Sequence, residues 1–101
     1  MTHAFIGRMV LYRLTAGDAD VTNKRREDAR QNIKKMREER PGFQAHVGNS
    51  VEEGAIVPMV LTKASHGAVN GQAFLDGGDS LWVVAVAEGD QPGQWEAITD
   101  G

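Results

Sequence analysis

Apolar and polar residues alternate most clearly over residues 69–87, VNGQAFLDGGDSLWVVAVA. Two runs rich in valine and aromatic residues flank Asp76-Gly77-Gly78-Asp79. Such runs, separated by a short glycine-containing turn, are typical of a β-hairpin. We expect Gly77 and Gly78 to supply the positive φ of a tight turn, because glycine adopts that conformation at no steric cost.

A first strand is predicted near the N-terminus. Residues 5–14, FIGRMVLYRL, alternate so that Val10, Tyr12 and Leu14 share one face of the strand. Met9, Leu11 and Arg13 fall on the opposite face.

A long helix is predicted next, over residues 19–40, which contain no Gly or Pro and many Arg, Lys, Glu and Gln residues. Asp18 or Asp20 is the predicted N-cap, and Pro41-Gly42 ends the helix. The apolar stripe of this helix is thin and consists of Val21, Ala29, Ile33 and Met36. A helix of this kind buries one narrow face and leaves the rest in solvent.

Further short strands are predicted at 43–47, 55–63 and 94–98. Pro58 lies inside the second of these, and because proline lacks an N–H group, it favours an edge strand or a bulge there. The order of elements predicts an α+β fold, with residues 1–101 as a single domain. We expect a small bent antiparallel sheet or an SH3-like, partly closed β-barrel, with one long helix inserted after the first strand.

The charge distribution adds a candidate binding surface. The formal net charge is −3, but residues 18–40 hold eight basic and six acidic residues, whereas residues 41–101 hold one basic and eight acidic residues. A basic helix on an acidic body favours self-association into a homo-oligomer or a local anion site. Nucleic acid is a disfavoured partner, because the body is acidic and the sequence pI is 5.5.

Cellular location is predicted from what the sequence lacks. There is no cysteine, and no apolar run approaches the roughly 20 residues of a membrane-spanning helix. We therefore predict a cytosolic protein without membrane association.

Catalytic and metal signatures are missing from the sequence. His3, His46 and His66 lack the spacing of a zinc site. Asp76 and Asp79 lack the further oxygen ligands of a calcium loop and are better explained as turn residues. No nucleophile motif or phosphate-binding loop is present. We predict a protein that is not an enzyme and that needs neither a metal nor a cofactor.

A candidate anion site lies on the helix. Arginine guanidinium groups bind phosphate with two parallel hydrogen bonds, and the helix presents several such groups together with an amide. The candidate residues are Asn23, Arg25, Arg26 and Arg30. The alternative is that these residues form an ordinary solvated helix face.

The tryptophans and several polar residues are the remaining candidates for ligand binding. Trp82 and Trp95 could stack on a base, although in a small domain aromatic residues more often supply packing area. We expect Trp82 to be buried and Trp95 to cap an end of the barrel. The polar candidates, which either line a pocket or interface or face solvent, are His46, Asn49, Asn70 and Gln72.

Four strings of residues carry a resemblance to a known group of proteins. They are HVGN at 46–49, VNGQAFLDG at 69–77, DSLWV at 79–83 and EGDQPGQW at 88–95. With them, the chain resembles small proteins of tailed bacteriophages and prophages that have no settled activity. Those proteins carry an Asn-Arg-Arg-like motif at the start of a helix, and Asn23-Lys24-Arg25-Arg26 takes that place here.

The resemblance implies a phage protein that acts in the host cytoplasm or within a virion. Combined with the absence of catalytic groups, it favours a non-enzymatic binding protein that sequesters a nucleotide-derived immune signal of the host. Two alternatives stay open, namely a structural component of the virion or its assembly, and a direct inhibitor of a host protein.

Overall fold

The computed structural model describes residues 4–40, 42 and 47–99. Its elements are β1 (Met9–Arg13), α1 (Ala16–Glu39), β2 (Ile56–Ser65), β3 (Ala68–Phe74), β4 (Ser80–Val86) and β5 (Trp95–Ala97). The strands form one antiparallel sheet in the order β4-β3-β2-β1-β5, which is not closed into a barrel. The predicted α+β fold, with a long helix after the first strand, is confirmed.

One face of the sheet forms the core, as the alternation in the sequence predicts. Val10, Tyr12 and Leu14 are at most 3% exposed, which confirms the predicted face of β1. The other strands contribute to the same core Val57, Met59, Leu61, Val69, Ala73, Leu75, Val83, Val86 and Trp95. We call this the inner face and the opposite side the outer face.

The sheet curves enough for its two outermost strands to meet at one point. Just after β4, the Ala87 carbonyl accepts a hydrogen bond from Trp95 N (3.0 Å), and Gly89 N donates to the Trp95 carbonyl (2.8 Å). These two bonds flank a bridge between Glu88 and Trp95. Trp95 is 4% exposed and belongs to the core.

The helix begins earlier than predicted, at Ala16, and its N-cap is Thr15. The Thr15 hydroxyl accepts a hydrogen bond from Asp18 N, and the Asp18 carboxylate accepts one from Thr15 N, each 3.0 Å long. Asp18 is therefore the third residue of a capping box, and the prediction of Asp18 or Asp20 as N-cap is wrong. The last helical residue is Glu39, and the Arg40 N–H still donates to the Met36 carbonyl (2.7 Å).

The Asp18 carboxylate also contacts β1, because the Tyr12 hydroxyl donates a hydrogen bond to Asp18 Oδ2. Burial raises the pKa of Tyr12 well above its ordinary value, and the hydrogen bond to Asp18 and its negative charge act in the same direction. Tyr12 thus stays protonated and ties the first turn of the helix to β1.

Only the first half of the helix contributes buried residues, which are Ala19, Thr22 and Arg26. Val21 is 53% exposed, so its predicted place in the buried stripe is wrong. The other three residues of the predicted stripe, Ala29, Ile33 and Met36, are half-buried and continue the packed face of Ala19, Thr22 and Arg26 at helical spacing. The molecule measures 55 × 27 × 23 Å, and a helix of 24 residues alone spans about 36 Å.

Pro58 lies in an interior strand, since β2 pairs with both β1 and β3. The prediction of an edge strand is therefore wrong. Leu61 N donates to the Arg8 carbonyl (3.0 Å), so it points toward β1. Because the backbone N–H groups of successive residues point to opposite sides of a strand, the Pro58 nitrogen, three residues earlier, points toward β3. Pairing with β3 begins only at Met59, so no ladder bond is lost at proline. The irregularity of β2 lies instead between Leu61 and Lys63.

The hairpin between β3 and β4 is present, but its turn is not the predicted one. Residues 75–79 form a wider loop, closed by a hydrogen bond from Leu75 N to the Asp79 carbonyl (3.3 Å). This loop does not require positive φ at Gly77 or Gly78, and neither adopts it. The strand predicted at 43–47 falls outside the described residues except for Val47, which is not in a strand.

Candidate functional site

The junction between the helix and the hairpin is built around the guanidinium group of Arg26. This side chain donates hydrogen bonds to the Asn49 carbonyl, the Asp76 carbonyl (3.2 Å) and Asp79 Oδ1 (3.0 Å). Arg26 is 2% exposed, whereas the Asp79 side chain is 29% exposed. One buried cation therefore connects the helix, the segment after residue 47 and the hairpin loop.

Two glycines make room for this guanidinium group. A Cβ atom at Gly48 would overlap the Asp76 carbonyl and lie 2.8 Å from Arg26 Cζ. A Cβ atom at Gly77 would lie 3.1 Å from Arg26 Nη2. Glycine is needed at Gly48 because backbone and guanidinium approach closely there, not because of a positive φ.

Asn23 and Arg30 strengthen the same junction on the side of residues 48–51. The Asn23 amide donates to the Val51 carbonyl and accepts from Val51 N, both at 2.8 Å, as a neighbouring strand would. Arg30 donates to the Gly48 carbonyl at 3.3 Å. With Arg26, these three predicted phosphate-binding residues thus bind the backbone of the chain itself, and the fourth, Arg25, also contacts a backbone carbonyl.

Arg25 has a different environment, although it precedes Arg26 directly. Its side chain is exposed, and its two terminal nitrogens each lie 3.4 Å from the Ser80 carbonyl at the start of β4. These long contacts use little of the five-donor capacity of a guanidinium group. Arg25 is therefore held near β4 with donors available to a ligand.

The outer face of β4 continues from this point to an exposed indole. Trp82 is 62% exposed and is paired in register with Gln72 of β3. The Ser80 hydroxyl donates a hydrogen bond to Gln72 Oε1 (3.3 Å). The prediction that Trp82 is buried is wrong, because Leu81 and Val83 face the core and the strand alternation turns Trp82 outward. We call Arg25, Gln72, Ser80 and Trp82 the β4 surface.

The remaining candidates lie apart from this surface. Asn70 accepts a hydrogen bond from Ala85 N (2.9 Å), at a position where Ala85 has a φ of 54°. Asn49 is exposed and contributes its carbonyl to the junction. Trp95 lies in the core, and His46 falls outside the described residues.

A cleft of about 220 Å³ runs beside the junction. It is bounded by Arg25 and Ala29 of the helix, and by Gly78 and Asp79 of the hairpin loop. Arg25 and the hairpin loop of residues 75–79 therefore both border this cleft. Sequence reasoning missed Ser80, whose role depends on strand register, and treated Asp79 only as a turn residue. No spacing in the sequence points to either role.

Comparison with known proteins adds no assignment, since no family model, curated protein or solved structure matches the chain. Within residues 4–40, 42 and 47–99, no three or more His, Asp or Glu side chains are grouped to hold a metal ion. In the same described part of the chain, no helix is long and apolar enough to cross a membrane.

Proposed function

We propose that this chain is a non-enzymatic binding protein that captures an anionic, nucleotide-derived small molecule. The observation that carries the proposal is the β4 surface, where an indole that is 62% exposed lies opposite Gln72, with Arg25 at the start of the strand. Following the resemblance, the ligand is a signal of host immunity that a phage protein sequesters in the bacterial cytoplasm. The protein acts as a homo-oligomer.

The chemistry of the β4 surface fits the two ends of a nucleotide. A base can stack on Trp82, and each such contact contributes about 1–3 kcal/mol. Gln72, whose Cβ lies about 5 Å from that of Trp82 in a directly opposed pair, offers a donor and an acceptor to the edge of the base. Arg25 supplies positive charge for a phosphate. The Ser80 hydroxyl of this surface donates to Gln72 Oε1 (3.3 Å), an amide oxygen that cannot act as a general base, so binding without turnover is the expected outcome.

The test is calorimetric titration with a panel of linear and cyclic nucleotides, followed by variants. We expect Trp82→Ala and Arg25→Ala each to weaken binding about tenfold or more. Lys24→Ala is the matched control, since it removes a neighbouring exposed helix cation. Absence of binding across the panel, or an equal loss in Lys24→Ala and Arg25→Ala, would contradict the proposal.

A second candidate function is protein binding through the helix, as a virion or assembly component or as an inhibitor of a host protein. It is favoured by the second half of the helix, which contributes no buried residue among those described. An exposed helix is a common docking element. Copurification with phage particles, or capture of one stoichiometric host protein, together with no nucleotide affinity, would favour this candidate over the first.

A further inference from the structure

The outer face of the sheet exposes large apolar side chains on four adjacent strands. They are 43–62% exposed and comprise Met9, Ile56, Phe74, Trp82 and Val84. In register, Met9 lies opposite Val60, Val60 opposite Gln72, and Gln72 opposite Trp82, so one continuous row crosses the sheet. We call this set of five residues the outer apolar face.

We propose that a second copy of this chain covers the outer apolar face, and that the two sheets pack face to face in a closed homodimer. Sheets packed in this way interdigitate their side chains at a separation of about 10 Å. A two-fold interface uses the same patch on both copies, so the patch need only be complementary to itself.

The area of the patch is one argument for a second copy. An aromatic side chain alone has roughly 150–250 Å² of surface, so the five residues expose on the order of 500 Å². This lies at the upper end of the roughly 300–600 Å² found on monomers. With Leu11, Pro58 and Val60 between them, the face approaches the roughly 800 Å² that each partner contributes to a stable interface.

The charges near the patch are a second argument. Arg13 and Glu96 lie on the same side of the sheet as the patch, and they already form an ion pair with a 2.7 Å separation. Lys63, in register with Asn70, is an exposed cation on the same side, at the end of β2 opposite to Ile56. An interface centred on the row from Met9 to Trp82 brings together mainly apolar groups and a neutralised pair, and it leaves Lys63 at its rim, where the ammonium group stays in water.

The dimer would change the ligand site as well, a consequence that rests on the proposed function. Trp82 belongs to both the β4 surface and the outer apolar face, and it lies on the outermost strand of the sheet. A partner sheet would turn its indole from an open surface into one wall of a pocket between two copies. The ligand would then contact residues of both chains.

Sedimentation velocity on the full chain tests the interface. The wild type should sediment as a dimer, and the double variant Met9→Asp/Ile56→Asp should sediment at half that mass with unchanged circular dichroism. Val21→Asp is the matched control, since Val21 is 53% exposed but lies on the helix, and it should remain dimeric. A monomeric wild type at high concentration would overturn the proposal. Dissociation by Val84→Asp but not by Met9→Asp/Ile56→Asp would also overturn it, in favour of edge-to-edge pairing of β4.

Acrylamide quenching of the wild type needs no variant. Trp95 is buried, so a change in quenching on dilution reports Trp82. We expect quenching to increase as the dimer dissociates, and unchanged quenching would count against burial of Trp82 in the interface. A dimer that binds no nucleotide would contradict the proposed ligand binding alone, whereas a monomer that binds nucleotide would contradict the interface and the proposed homo-oligomer but not the ligand binding.

Discussion

Arg25 and Arg26 are neighbours in sequence, yet they occupy two opposite regions of the molecule. Arg26 is 2% exposed and is enclosed by two carbonyl groups and Asp79. Arg25 is exposed, and its two terminal nitrogens each lie 3.4 Å from the Ser80 carbonyl. A rotation of about 100° per residue along the helix separates these two environments. A basic motif can therefore combine a structural cation and a surface cation in adjacent positions.

The largest expected difference in stability between the two environments is measured by removing each guanidinium group in turn. Arg26→Ala should lower the free energy of unfolding by about 3 kcal/mol, because the carbonyl groups and Asp79 lose a buried partner. Arg25→Ala should change it by less than about 0.5 kcal/mol, as is usual for surface sites. Urea denaturation measures both values. Equal effects would show that the two environments do not differ as described.

The glycine beside Arg26 offers the next largest effect. Gly48→Ala should destabilise the fold by about 2 kcal/mol, since the added methyl group overlaps the Asp76 carbonyl and Arg26. Gly78→Ala is the control, because a Cβ atom there meets nothing within 4 Å and its φ is not positive. Thermal unfolding of both variants measures the difference. A Gly48→Ala protein as stable as Gly78→Ala would contradict the close packing of the junction.

Replacing Ala85 in β4 by glycine should have a smaller effect on the free energy of unfolding, and one of the opposite sign. Its φ of 54° is unfavourable for a residue with a Cβ atom. Ala85→Gly should therefore stabilise the protein by about 0.5–1 kcal/mol after the entropy cost of glycine in the unfolded chain. The hydrogen bond from this residue's N–H to Asn70 is retained. A lower melting temperature in Ala85→Gly would argue against the strain.

The smallest effect at neutral pH concerns Tyr12, a second buried polar group with an internal partner. Its pKa is raised above 10.0, the value of the unfolded chain. The protonated form is therefore favoured by folding, so this contribution to stability is complete below pH 10 and falls as the pH rises further. Tyr12 is the only tyrosine, so absorbance of the phenolate near 295 nm should appear only above its ordinary range. A native titration midpoint near pH 10 would contradict its burial.

The sequence predicts the elements of this fold well, because alternation and composition act locally. The pattern predicts that Val10, Tyr12 and Leu14 share one face of a strand, and in the structure all three lie in the core. The helix N-terminus is misplaced because Thr15 and Asp18 form a reciprocal pair, and either could be the N-cap when the sequence alone is considered. Such errors are local and move a boundary by three residues.

The candidate site is less predictable because it depends on which tertiary partner each side chain meets. No sequence pattern indicates that Arg26 meets the Asp76 and Asn49 carbonyls while Arg25 meets Ser80. Trp82 shows the same limit, since its orientation depends on which face of β4 packs on the core. The bulge near Ala85 places Val86 on the inner face, whereas strict alternation of side chains along the strand would place it on the outer face.

The most direct test of the central claim is a calorimetric titration of the wild type and of Arg25→Ala with whichever nucleotide of the panel binds. If the β4 surface binds the ligand, Arg25→Ala should retain wild-type stability and lose affinity about tenfold or more. Full affinity in a stable Arg25→Ala protein would contradict this claim, because the cation at the start of β4 would then have no part in binding.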